Sequence, residues 1–150
     1  MNSRADCPYH AVDRVLTQLG DAAKIVVVDI HAETTSEKVA LGWYLDGRVT
    51  AVVGTHTHIQ TADERILPRG TAYITDLGMT GPYDSVLGRD KDAVIKSLVT
   101  GVPHQYTVAS DDARLCGVIV EADDNTGQAR WIERVNILDP QPLAPGEGED

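Results

Sequence analysis

The chain has 150 residues and a formal net charge of −10. That is one domain's length, enough to bury a core, and the acidic balance argues against a binder of extended nucleic acid, whose affinity rests on Lys and Arg neutralising phosphates. The two cysteines, Cys7 and Cys116, sit in unrelated settings, and neither a leader-like start nor an apolar run of membrane-spanning length is present, so a soluble protein of a reducing cytoplasm is expected.

Residues 1–8 read as an extension. From Tyr9 to Leu19, apolar Val12, Val15, Leu16 and Leu19 have the spacing of an amphipathic helix, with Gly20 as a stop. A strand is expected at Lys24 to Asp29. Thr34 and Glu37 then have capping-box spacing, opening a helix whose apolar stripe is Val39, Ala40, Trp43 and Tyr44. Asp46-Gly47 turns the chain into a strand at Val49 to Val53. Strand, helix, strand predicts neighbouring parallel strands.

Beyond His58, a Pro68-Arg69-Gly70 turn precedes a short strand at Thr71 to Thr75, and Asp76 to Pro82 is rich in turn formers. Asp90 opens a helix over Lys91 to Val99. Leu115 to Ala122 and Ala129 to Ile137 flank Asp123-Asp124-Asn125-Thr126-Gly127 as an antiparallel hairpin. From Asp139 the acidic, proline-containing tail is expected to be disordered. The fold class is therefore α/β with a mixed sheet.

The chemistry concentrates at three histidines. His31 follows Ile25-Val26-Val27-Val28-Asp29-Ile30, and His56 and His58 follow Val49-Thr50-Ala51-Val52-Val53-Gly54-Thr55. Such β-branched runs read as buried parallel strands, and ligands of open α/β sheets gather beyond their carboxyl ends. On an extended backbone His-x-His places both imidazoles on one face, as it does Asp29 and His31. Imidazole with carboxylate suits iron, zinc or manganese. Taken singly, His31 also reads as a strand-end cap, whereas His56 and His58 together read as ligands. Asp29 either orients a ligating imidazole or caps the following turn. Glu33 and Glu37 read first as helix-start carboxylates and alternatively as site residues, and the loop at Gly78 and Met79 as a pocket lining or a plain turn. Trp43 and Tyr44 are expected at the core and its boundary.

Asp29-Ile30-His31-Ala32-Glu33-Thr34-Thr35-Ser36-Glu37-Lys38, Gly54-Thr55-His56-Thr57-His58-Ile59-Gln60-Thr61-Ala62-Asp63 and Thr75-Asp76-Leu77-Gly78-Met79-Thr80-Gly81-Pro82 occur in that order. Together they resemble the YmdB-like bacterial phosphodiesterases of the calcineurin-like metallophosphoesterase superfamily. The resemblance implies an α/β/β/α sandwich and hydrolysis of phosphodiesters, including 2′,3′-cyclic nucleotides, at a two-metal centre of iron or manganese. It implies that His31 and His56 bind one metal and His58 the other, with Asp29, Thr57, Gly78 and Met79 behind them or lining the substrate loop.

The family's amino-terminal half supplies a Gly-Asp strand end, a bridging glutamate, an asparagine ligand and an Asn-His pair carrying the proton donor. Here Gly20-Asp21 reads as a turn, and Asn2, Asn125 and Asn136 precede Ser3, Thr126 and Ile137. No catalytic residue is therefore assigned. The chain reads as the carboxyl-terminal part of the domain over residues 9–138, holding at most one metal ion, since no carboxylate bridge opposes the repulsion of two. A complementary half or a second copy is the expected partner, beside a small phosphodiester substrate. The rival readings are a non-catalytic metal- or nucleotide-binding or interaction module and, more remotely, an amidohydrolase-type hydrolase, which needs an eight-stranded barrel.

Overall fold

Apolar strands flanked by short polar turns build two sheets, and the computed structural model describes residues 6–140 of them. The first sheet contains β1 (Val27–His31), β2 (Ala51–Thr55), β3 (Arg65–Ile66) and β4 (Ala72–Ile74) in the order β1-β2-β4-β3. The β1–β2 and β2–β4 pairs are parallel, while β3 runs antiparallel to β4. The second is an antiparallel sheet of β5 (Gly81–Pro82), β6 (Ala113–Ala122) and β7 (Ala129–Leu138). Helices α1 (Pro8–Leu19), α2 (Thr35–Leu45) and α3 (Lys91–Thr100) complete the elements, with one 3-10 turn at Gly20–Ala22. This mixed, two-sheet architecture agrees with the expected class and excludes the barrel of an amidohydrolase.

Two apolar layers hold it together. Leu41 and Leu45 of α2 pack on Val49, Val52, Leu67 and Tyr73, and Tyr9, Val12 and Leu16 of α1 close the margin. Between the sheets, Ala51, Ala72 and Ala129 meet Ile66, Val120 and Ile132; small side chains let the hairpin approach the parallel strands closely. The outer face of that hairpin carries Leu115, Ile119, Trp131 and Ile137, all of them exposed. Helix, sheet and sheet are present, and the outer helical layer of an α/β/β/α sandwich is not seen over these side chains among the described residues.

Several local expectations change. The first strand starts at Val27 because the Val26 carbonyl accepts from both Thr50 N and Ala51 N, which interrupts the regular ladder, and it runs on through His31. The second extends to Thr55. Thr34 stands at the start of α2 without a side-chain cap, so the capping box does not form. The buried face of α2 is Lys38, Leu41, Gly42 and Leu45, one position round from the expected stripe, because a lysine occupies the inner face. Trp43 and Tyr44 are exposed boundary residues: Trp43 lies beneath the Arg65 guanidinium and Tyr44 packs edge-on against Tyr9. Pro8 belongs to α1, where its missing N–H costs nothing. Asp139 N donates to Ala113 O at 2.7 Å, so the hairpin ladder runs past the point where the tail was expected to begin. Residues 1–5 of the extension and 141–150 of the tail lie outside the described residues.

Gly54 is required where β2 ends. A Cβ there would lie 1.7 Å from the Thr75 carbonyl oxygen, while Leu77 N donates to Gly54 O at 2.8 Å. The backbone leaving β4 therefore crosses directly over this residue. Gly54→Ala is expected to cost at least about 1–3 kcal/mol through forced backbone displacement, read as a fall in the urea midpoint. Gly117→Ala, whose Cβ would meet nothing within 4 Å, is expected to stay within about 0.5 kcal/mol.

Candidate functional site

The carboxyl ends of β1 and β2 bring a chain of polar side chains together. Thr55 Oγ1 donates to Asp29 Oδ1 at 2.8 Å and lies 3.1 Å from His31 Nδ1. A hydroxyl has one proton and a carboxylate only accepts, so Nδ1–H of His31 donates to Thr55. Neutral His31 then keeps its lone pair on Nε2, which lies 2.9 Å from His56 Nδ1. The rings meet edge to face with centroids 4.7 Å apart. His56 Nε2 reaches Glu33 Oε2 at 2.9 Å. Asp29 thus reaches the His31 imidazole through Thr55 rather than by direct contact.

His56 and His58 do not extend β2. Residues 56–59 form bends, and the two histidines have φ of +107° and +65°, left-handed backbone that non-glycine residues adopt at a cost. The same-face argument from an extended strand therefore fails. The structure brings His31 and His56 together and places His58 at a separate cavity with Val86, Leu87, Arg89, Val94 and Tyr106.

Asp76 holds the loop between the histidines. Its Oδ2 accepts from Lys38 Nζ at 2.7 Å, Thr57 N at 3.0 Å and Thr57 Oγ1 at 2.8 Å, and its Oδ1 from Gly78 N at 2.9 Å. The Lys38 and Asp76 side chains are 0% and 1% exposed. Burial alone pushes the Asp76 carboxyl up, but the bonds from Lys38, Gly78 and Thr57 outweigh it and hold it below the usual carboxylate range. Asp63 likewise resists burial: hydroxyl bonds from Thr75 and Thr61 keep its carboxyl low. Thr57 thus anchors the loop. Gly78, at φ +78°, packs on Gln60 beneath the same carboxylate, and Met79 turns its sulfur toward Gly88.

Thr55, Lys38, Asp63 and Asp76 carry no site reading in the sequence. Glu33, two residues after His31, reaches His56, as its alternative reading as a site residue allows. Lys38 left a signal, a cation spaced three and seven residues from Leu41 and Leu45 on one helical face.

The donor chemistry fits a single cation in part. Two imidazole nitrogens about 2.1 Å from one ion stand roughly 3.0–3.4 Å apart, close to the 2.9 Å between His31 and His56. Among the described residues no three His, Cys, Asp or Glu side chains converge on one point. No described helix is long and apolar enough to cross a membrane.

Comparison with known proteins gives a consistent result. A family model described as YmdB-like protein matches residues 1–135. A curated relative, the 2′,3′-cyclic-nucleotide 2′-phosphodiesterase of Bacillus subtilis (strain 168), is 53% identical over 134 residues, 89% of this chain and 51% of its own length. A solved hypothetical protein of Thermus thermophilus aligns with TM-score 0.83 and 40% identity over 93% of this chain and 54% of its own. A phosphatase of Mycoplasma pneumoniae aligns with TM-score 0.84 and 38% identity over 93% and 50%. The chain spans about half the length of these relatives.

Removing one partner of a buried pair strands the other, so Asp76→Asn is expected to lose about 3–5 kcal/mol in urea unfolding. Thr57→Val, which deletes one hydroxyl bond to Asp76, is expected to lose about 1 kcal/mol. Asp76 and Asp63 have native pKa values below their unfolded ones, so the stability they supply is complete above the unfolded value near 4 and disappears as pH falls through the native values. Unfolding free energy measured from pH 7 downward is expected to stay level to about pH 5 and then drop, with a shallower drop in Asp76→Asn.

Proposed function

The chain belongs to the YmdB-like family, and on that premise we propose that it is the carboxyl-terminal half of a metal-dependent phosphodiesterase of the 2′,3′-cyclic-nucleotide type. A complementary amino-terminal half completes the site. The observation that carries this reading is the 2.9 Å approach of His31 Nε2 to His56 Nδ1, with His31 oriented from behind by Thr55 and Asp29. An imidazole fixed through its other nitrogen is the usual arrangement behind a metal ligand.

In this proposal His31 and His56 hold one divalent ion, iron or manganese, and His58 serves the second position once the missing donors arrive. Such an ion supplies Lewis acidity toward phosphate oxygens and acidifies water near neutral pH. The chain's own residues bind and orient. Asp76 fixes Thr57 between the histidines, and neutral imidazoles hold the cation without adding negative charge that would repel a phosphodiester. Glu33 accepts from His56 and sets its ring. A small phosphodiester is the substrate class, because the chain's charge of −10 disfavours a long polyanion. The cytoplasm is the compartment the thiols suit.

The test uses the purified chain with manganese and bis-(p-nitrophenyl) phosphate, alone and co-expressed with the amino-terminal half of the Bacillus subtilis relative. Turnover is expected to be at background for the chain alone, to appear with the added half, and to fall at least about 100-fold in His56→Ala. Metal-dependent turnover by the chain alone that His56→Ala removes overturns the divided site. Turnover of the pair that survives His56→Ala overturns the histidine assignment.

A further inference from the structure

The cavity beside His58 has no part in the cation pair, and its walls have a definite chemistry. It is a half-open cavity of about 280 Å³, lined by His58, Val86, Leu87, Arg89, Val94 and Tyr106, drawn from the loop after β2, a tight turn, α3 and the segment before β6. We propose that this cavity is a nucleotide subsite: Arg89 takes phosphate oxygens, and Val86, Leu87, Val94 and Tyr106 take the base. The assignment rests on the phosphodiesterase reading for its place beside His58, but its binding chemistry stands on the residues below.

Arg89 stands apart from most cations of this acidic chain. Eight other Lys and Arg side chains pair with carboxylates among the described residues. Arg89 forms no such pair there; its guanidinium lies over the Tyr106 ring, 5.2 Å from the centroid. Of the carboxylates near it in sequence, Asp92 lies in the first turn of α3 and forms no ion pair with Arg89 among the described residues, and the other two are committed elsewhere. Asp84 binds Lys91, and Asp90 accepts from Ala93 N at the start of α3. A planar guanidinium resting on an aromatic face keeps its N–H fork free for two phosphate oxygens, while apolar and aromatic walls suit a base, whose faces stack without demanding hydrogen bonds.

The support is rigid. Val86 and Arg89 exchange both backbone hydrogen bonds, at 2.9 and 3.1 Å, across Leu87 and Gly88. Those two residues have φ of +53° and +89°, the left-handed pair of a two-residue hairpin turn. Leucine tolerates that conformation poorly, so the turn is held by its surroundings: Gly88 N donates to Ser85 Oγ, Ala109 N to Gly88 O and Asp90 N to Thr107 O. These bonds lock the turn to the segment carrying Tyr106.

The experiment titrates the ¹⁵N-labelled, metal-free full chain with 2′,3′-cyclic AMP, with inorganic phosphate and adenosine as partial probes. Amide shifts are expected to cluster at residues 86–89 and 106. Arg89→Ala is expected to weaken the cyclic nucleotide at least about tenfold and leave adenosine within about twofold, Arg89→Lys is expected to fall between, because an ammonium lacks the fork, and Lys96→Ala is expected to match the unaltered chain. Shifts confined to other surfaces, or equal affinity in Arg89→Ala, overturn the subsite. Manganese binding is read separately as paramagnetic broadening of the His31 and His56 ring signals. Nucleotide shifts at Arg89 without that broadening support the subsite and count against the metal reading; broadening without nucleotide shifts overturns the subsite alone.

Discussion

The buried ion pair between Lys38 and Asp76 is the constraint on which the candidate site depends. Taking both charges from water is costly, and attraction between them alone barely repays it. Asp76 offsets the cost by accepting three further bonds, two from Thr57 and one from Gly78. The carboxylate thereby ties α2, the loop after β2 and the loop after β4 to one point. Thr57 is placed between His56 and His58, so the pair sets the backbone of both. Its contribution is one of geometry: a hydrophobic replacement could fill the space but could not hold Thr57.

Gly42 and Gly54 extend the same logic to the strands. Without a side chain at 42, the Tyr73 ring lies against α2, and without one at 54 the backbone beyond β4 crosses the end of β2. That crossing carries Asp76 into reach of Lys38. The apolar layers explain why the sheets pack, while glycine and the ion pair explain why the strand ends arrive where they do.

Periodicity and β-branched runs make β1, β2, β4 and the hairpin legible, since each depends on neighbours a few residues apart, whereas the two-residue strands β3 and β5 offer no run to read. Lys38 and Asp76 lie 38 residues apart, and no local pattern couples them. The inner face of α2 is illegible for the same reason: a lysine there looks like an error of polarity until its partner is seen. Positive φ at His56 and His58 left no compositional trace, because glycine, the usual marker of that conformation, is absent from both positions. Thr55 carries no local signal because it relays between two residues on the neighbouring strand.

The left-handed histidines carry a cost that does nothing for the fold. A glycine at either position would relax the peptide and remove the imidazole together, leaving a sturdier chain with less chemistry. Stability and the placing of an imidazole are thus opposed at the same two residues, and a selection for heat tolerance alone, imposed on this sequence, would remove those rings before it touched the core.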